Sequence, residues 1–297
     1  MSDSTRGPVI AGFDGSPRAR QATRWAATEA RHRQQPLLIV HCFQWAPPIM
    51  DGWTGASTAD GEQIRAHSAE QLREVAESCA VPGLDVETHL VEGQAKSLLP
   101  ALGEELAAEL LVVGATGLGA LPRALLGSTA AHLVRTARPP VIVVRGDDAA
   151  PASGGPVVVG VDGSPTSDRA LDFAFDCAAR WNTSVHAVHA WNELPLGTFT
   201  PMPAGEVDLD RGEAVREQAV RELLDGWAVR YPEVRVDFTA ADDRPAHALI
   251  EVARPAKLLV VGSHGRGPVR RAFLGSVSHA LLHHAPCPLA VLRHTDE

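Results

Sequence analysis

The chain has 297 residues, a formal net charge of −9 and four cysteines. The acidic balance speaks against a nucleic-acid backbone or an anionic membrane surface as main partner. Cys42, Cys79, Cys177 and Cys287 form no C-x-x-C pair, which speaks against zinc and against a disulfide framework and suits a reducing compartment. No run approaches the roughly eighteen apolar residues of a membrane span, and the polar start of the chain lacks an apolar signal core, so a soluble, cytoplasmic protein is expected.

The predicted elements occur twice in the same order. A first strand, Val9–Phe13 (Val157–Val161 in the second half), runs into Asp14-Gly15-Ser16-Pro17 (Asp162-Gly163-Ser164-Pro165). Serine is a good helix N-cap and proline a good first residue, so a helix starts there. Ala22, Trp25, Ala26 and Ala30 fall at helical spacing, as do Ala170, Phe173, Ala174 and Cys177. A second strand, Leu37–Phe43 (Ser184–Trp191), is a near-continuous apolar run, as in parallel strands covered on both faces. Residues 46–61 and 192–205 are rich in Pro and Gly without periodicity, with Trp53 in the first, and read as long loops of the kind that serve as lids. Polar helices over about 62–80 and 206–230 follow, then strands near Asp85–Val91 and Arg235–Ala240. Helices over about 96–108 and 246–254 come next.

The fourth strand, Leu110–Val113 (Leu258–Val261), ends in a glycine turn. Gly114-x2-Gly117-x9-Gly127-Ser128 recurs as Gly262-x2-Gly265-x9-Gly275-Ser276, at an offset of 148 residues. Residues 111–128 and 259–276 share 11 of 18 positions, whereas unrelated stretches share about one. The chain is therefore a tandem duplication: domains over 1–146 and 157–297, with the small, proline-interrupted segment 147–156 as linker. Gly127-Ser128 opens the last helix, and Pro139–Val144 (Pro288–Leu292) is a fifth strand. Strands alternating with helices imply a doubly wound α/β sandwich in each half. Ligands of such sheets bind at the carboxyl ends of the strands, where Asp14 and Gly114 would meet.

A strand, a glycine-rich turn and a Gly-Ser at a helix start make a phosphate cradle. The spacing matches neither G-x-x-x-x-G-K-[ST] nor a G-x-G-x-x-G dinucleotide turn. Asp14 and Asp162 suit an Asx turn and, compatibly, a contact to ribose hydroxyls or a metal held through water. His41 and His189, inside apolar strands, read as core residues rather than catalysts. Arg266, in the second glycine loop, either pairs with phosphate oxygens or is a solvated loop residue; the first loop has Leu118 there. Trp45, Trp53 and Trp191 either cover a base or pack. No nucleophile–base set repeats in both halves, so no catalytic residue is assigned.

The pattern G-x2-G-x9-G-[ST], with an aspartate ending the first strand and a C-terminal Pro-Val-Ile-Val-Val-type strand, resembles the universal stress protein family, in its tandem two-domain form. The resemblance spans both halves. It implies two tandem Rossmann-like domains, each a five-stranded parallel sheet of order 3-2-1-4-5, binding ATP (or AMP or ADP) with Mg²⁺ or Mn²⁺ as a companion of the nucleotide. Carried over by position, Gly12 and Asp14 lie by the ribose and the backbone around Cys42 by the adenine. Val113, Gly114 and Gly117 line ribose and phosphates, while Gly127, Ser128 and Thr129 bind phosphate. The matching set is Gly160, Asp162, Ala190, Val261, Gly262, Gly265, Gly275, Ser276 and Val277. The first half departs at Ala115-Thr116, where Ser-His is usual, and at Thr129. The resemblance also implies a homodimer and pairing of Val141–Val144 with Leu289–Leu292. The expected role is regulatory or signalling in stress or dormancy. A slow ATPase or nucleotidyl transferase, and a nucleotide-free interaction scaffold, are the alternatives.

Overall fold

The computed structural model describes residues 7–44, 58–117, 126–145, 155–191, 209–264 and 274–293. The chain forms two compact units, residues 1–150 with 288–297, and residues 151–287.

In the first unit the order along the chain is β1 (Val9–Phe13), α1 (Pro17–Arg33), β2 (Leu37–Phe43), α2 (Thr58–Cys79) and β3 (Val86–Glu92). Then come α3 (Ala95–Glu105), β4 (Leu110–Gly114), α4 (Ser128–Thr136) and β5 (Val141–Val144). The five strands lie side by side as β3-β2-β1-β4-β5, all parallel. Local sequence explains the middle of this sheet. Leu110–Val113 and Val141–Val144 are buried at every position, because helices on both faces leave no polar side to a parallel strand. Outermost β3 carries Glu87, Thr88 and His89, all exposed.

The second unit repeats the plan with β6 (Val157–Gly160), α5 (Pro165–Trp181), β7 (Val185–Ala190), α6 (Leu209–Arg230), β8 (Val236–Ala241), α7 (Pro245–Val252), β9 (Leu258–Gly262) and α8 (Ser276–His284). Its strands run parallel in the order β8-β7-β6-β9. The last strand of the chain, β10 (Leu289–Leu292), belongs with the first unit. It lies antiparallel on β5, with Leu289 opposite Val143 and Val291 opposite Val141. The expected pairing of Val141–Val144 with Leu289–Leu292 therefore forms, and an otherwise parallel sheet gains one antiparallel strand.

Helices α1 and α5 bury the stripes their periodicity marks out: Ala22, Trp25, Ala26 and Ala30 in one, Ala170, Phe173, Ala174 and Cys177 in the other. The small residues let each helix lie close to its sheet. Ser16 and Ser164 cap them as expected, accepting hydrogen bonds from the amides of Ala19 and Ser167 at 3.1 and 3.3 Å. The helix after the first long loop begins at Thr58, four residues inside the stretch read as loop, and α6 begins at Leu209, three residues later than expected. Composition without periodicity blurs a polar helix start, since nothing apolar marks its first turn. Loop residues 46–57 and 192–205 lie outside the described residues.

Candidate functional site

The site begins with a turn that local chemistry dictates. Asp14 follows β1, and its Oδ1 accepts a hydrogen bond from the Ser16 amide at 3.0 Å. Asp162 does the same for Ser164 at 2.9 Å. Gly15 and Gly163 sit between them at φ +83° and +71°, a left-handed conformation that glycine adopts without Cβ strain. Both are Asx turns that lead straight into a capped helix.

The glycines of the repeated motif are explained by crowding. A Cβ on Gly114 would lie 3.0 Å from the Arg18 carbonyl carbon, so α1 backbone runs against the end of β4. A Cβ on Gly117 would lie 2.2 Å from Asp14 Oδ2. The end of β1 and the glycine turn, 103 residues apart in sequence, are thus brought together. Gly12 faces Leu99 of α3, whose Cδ1 would be 2.9 Å from an added Cβ. The motif closes on itself through the Gly127 amide, which donates to the Ala115 carbonyl at 2.6 Å.

Between these elements lies a cavity of about 520 Å³, inside the range of small-molecule sites. Of the expected residues of the first half, Gly12, Asp14, Val113, Gly114, Gly117, Gly127, Ser128 and Thr129 line it. Cys42 does not; it is half-buried near the end of β2, and burial pushes its thiol up to about 11. The lining also includes residues that carry no chemical signal in sequence: Ala95 and Leu99 from α3, Val40, and Ala19. They are apolar wall, and only the packing of α1 and α3 against the strands reveals them.

The chemistry available in the cavity is that of an anion cradle. Helix α4 is N-capped by Gly127, which has no side chain to satisfy the free amides of the first turn. In contrast, α1 spends a serine on that task. The open helix end carries partial positive charge and unpaired N–H donors, with the Ser128 hydroxyl beside them. Asp14 supplies a carboxylate at the opposite side of the glycine turn. Glycine backbone, an uncapped helix end and one carboxylate acceptor fit phosphate and ribose groups. Among the described residues no cluster of three His, Cys, Asp or Glu side chains is placed to hold a metal.

In the second unit Gly160, Asp162, Ala190, Val261 and Gly262 stand at or just beyond the ends of β6, β7 and β9, and Gly275, Ser276 and Val277 at the start of α8. Gly265 and Arg266 lie outside the described residues, as do Trp45 and Trp53. A Cβ on Gly262 would meet Thr166 Cγ2 at 2.7 Å, the counterpart of Gly114 against Arg18. The Gly275 amide donates to the Ser263 carbonyl at 2.8 Å. Here Ser278, with no hydroxyl counterpart in the first unit, also donates to Ser263 O at 3.0 Å. Ser263 Oγ and His264 Nδ1 are 2.9 Å apart. Helix α5 carries Asp168 in its first turn where α1 carries Arg20. Burial, with the Asp162 charge nearby, holds Asp168 above the usual carboxylate range.

The two strand histidines are core residues, 7% and 3% exposed. His189 Nδ1 lies 2.7 Å from the Val161 carbonyl oxygen, and its ring packs 5.8 Å from Trp191. His41 stands edge-on to Phe13 at 5.6 Å. Burial lowers its pKa, opposed by the charge of Asp14, so the ring is neutral at physiological pH.

The sequence profile described as the Universal stress protein family matches residues 5–145 and again residues 155–293. A universal stress protein of Mycobacterium tuberculosis (strain ATCC 25618 / H37Rv) is 39% identical over 293 residues, 96% of either chain. One from Mycolicibacterium smegmatis is 37% identical over 303 residues, 99% of either chain. The crystal structure of a universal stress protein from Archaeoglobus fulgidus DSM 4304 superposes with a TM-score of 0.70, covering 97% of this chain and 98% of that one. At 17% identity that likeness is one of fold.

Proposed function

Because this chain belongs to the universal stress protein family, with one family domain in each repeat, we propose that it binds ATP at the strand ends of each unit and acts as a regulatory module in stress or dormancy. The observation that carries the reading is the cavity of about 520 Å³ whose wall combines Gly12, Asp14, Gly114 and Gly117 with the uncapped start of α4. Phosphates sit against the α4 amides and Ser128, the ribose near Asp14 and Gly12, and the base toward the end of β2. In the second unit Asp162, Gly262, Gly275 and Ser276 take the same parts, and Arg266 adds a cation to the phosphates. AMP and ADP share the ribose and base contacts and fit the same walls. Ser128 and Asp14 would offer oxygen atoms to an Mg²⁺ or Mn²⁺ ion accompanying the phosphates, which would offset their negative charge. Chain residues do the binding and orienting; no group is assigned to bond breaking.

A micromolar dissociation constant, about −8 kcal/mol, keeps such sites filled at millimolar nucleotide, so the protein reads which adenine nucleotide occupies them rather than competing for scarce ligand. The test is an acid extract of freshly purified protein, with released nucleotide identified by mass and counted per chain. One or two adenine nucleotides per chain are expected. No nucleotide, together with no thermal shift at about a hundredfold excess of ATP over a micromolar constant, where linkage predicts about 2.7 kcal/mol, overturns the reading.

A further inference from the structure

Helix α8 carries three histidines, His279, His283 and His284. His279 and His283 are four residues apart, so they stand one above the other on one face of the helix. Their ring centres are 4.9 Å apart, with the ring planes at 61°. His279 is exposed and His283 half-buried. His284 lies about 100° further round the helix, its ring centre 6.2 Å from that of His283. The duplication supplies a contrast. The matching positions of α4 are Ala131 and Arg135, a methyl group and a cation.

We propose that His279 and His283 form a chelating site for a divalent transition-metal ion such as Zn²⁺, a site independent of the nucleotide reading above. Neutral imidazole is the commonest protein ligand for such ions. A ring bound through one nitrogen at about 2.0 Å puts its centre about 3.2 Å from the ion. Two such rings at about 90–110°, from square-planar to tetrahedral, have centres about 4.5–5.2 Å apart. The 4.9 Å between His279 and His283 falls within that span. Histidine χ2 has a broad well, so either ring turns a nitrogen toward the shared gap at little cost. Because the helix fixes the spacing, the second imidazole binds as a tethered ligand at high effective concentration. Helical histidine pairs at this spacing hold zinc in metalloproteases, where a further protein ligand joins them. Here two protein ligands leave the other positions to water, so the ion is exchangeable and the centre is not a closed structural one. Arg135 would repel a cation at the matching place in the first unit, so the duplication yields one such site per chain.

The experiment is an NMR titration of the full, unaltered chain with Zn²⁺, at a pH well above the ordinary histidine range. Beside it, Zn²⁺ is titrated in competition with a chromophoric chelator for the unaltered chain, His279→Ala, His283→Ala and His284→Ala. The ring signals of His279 and His283 are expected to shift and saturate together. Groups that merely support a metal ligand are worth about 10–100-fold in affinity. His279→Ala and His283→Ala, which each delete a ligand, are therefore expected to weaken one Zn²⁺ step by at least about tenfold. The double variant is expected to lose little more than either alone, since a single imidazole no longer chelates. His284→Ala is expected to leave that step unchanged. Ring signals that do not move, or Zn²⁺ binding that neither variant alters, overturn the proposal. So does a loss on His284→Ala as large as on the other two. Should His283→Ala not fold, His279→Ala at the exposed position and the titration of the unaltered chain decide.

Discussion

Replacing Gly117 with alanine tests the contact on which the first site is built. The added Cβ would sit 2.2 Å from Asp14 Oδ2, well inside the 3.4 Å at which ordinary contact begins. The conformation at Gly117 is not left-handed, so crowding alone makes the glycine necessary. The carboxylate must swing away, and in doing so Oδ1 gives up the Ser16 amide now 3.0 Å from it. A hydrogen bond to a charged acceptor has a net worth of about 1.5–3 kcal/mol, and the half-exposed position of Asp14 places the loss at the low end, about 1.5 kcal/mol. For a unit of this size that lowers the melting temperature by about 3–6 °C. Asp14→Ala removes the obstructing oxygen, so in that background Gly117→Ala is expected to cost less than about 0.5 kcal/mol, a non-additivity of about 1 kcal/mol between touching residues. Scanning calorimetry of the four proteins measures it. Equal losses from Gly117→Ala in both backgrounds would refute the contact.

The second unit offers the parallel case. Gly262→Ala drives a Cβ to 2.7 Å from Thr166 Cγ2, an overpacking worth about 1–3 kcal/mol, and Thr166→Ser, which deletes that methyl, is expected to recover at least half of it in a thermal melt. Ser16→Ala and Ser164→Ala remove the side-chain caps of α1 and α5, each at a cost of about 1 kcal/mol; a loss below about 0.3 kcal/mol in chemical denaturation would contradict the cap geometry. His41 is held below its ordinary value of 6.5 chiefly by burial. The unfolded chain therefore binds the proton first, so this contribution is fully present above pH 6.5 and is lost as pH falls through 6.5 toward the folded value. Following the ring by NMR, a midpoint at or above 6.5 would show the burial argument to be mistaken. Cys42 and Cys287, with thiols pushed up to about 11 and about 12 by burial, are expected to alkylate at pH 8 far more slowly in the native chain than after denaturation; equal rates would contradict it.

Much of this architecture is local and was readable residue by residue. Asp14-Gly15-Ser16-Pro17 is a turn and a cap by its own chemistry, and its Asx-turn and cap hydrogen bonds reach only two and three residues along the chain. The stripe Ala22, Trp25, Ala26 and Ala30 names the buried face of α1 because a helix repeats every 3.6 residues. The duplication of the glycine motif, legible from spacing alone, says that one structural unit occurs twice. The order of the parallel strands was not legible in the residues; it came from the family resemblance. An apolar run such as Leu110–Val113 shows that a strand is buried without saying which strands flank it.

Tertiary structure decided the rest, because those contacts join residues that no local rule connects. Packing put Gly117 against Asp14 and Leu99 beneath Gly12, and these approaches turn three separate segments into one cavity wall. It set β10 antiparallel on β5 in the first unit. It gave Ser278 a carbonyl fifteen residues back to hold, where the first unit has only a methyl group. Sequence determines an element through short-range backbone chemistry and periodicity. Its neighbours follow from burying every apolar face at once, a condition that only the whole fold satisfies.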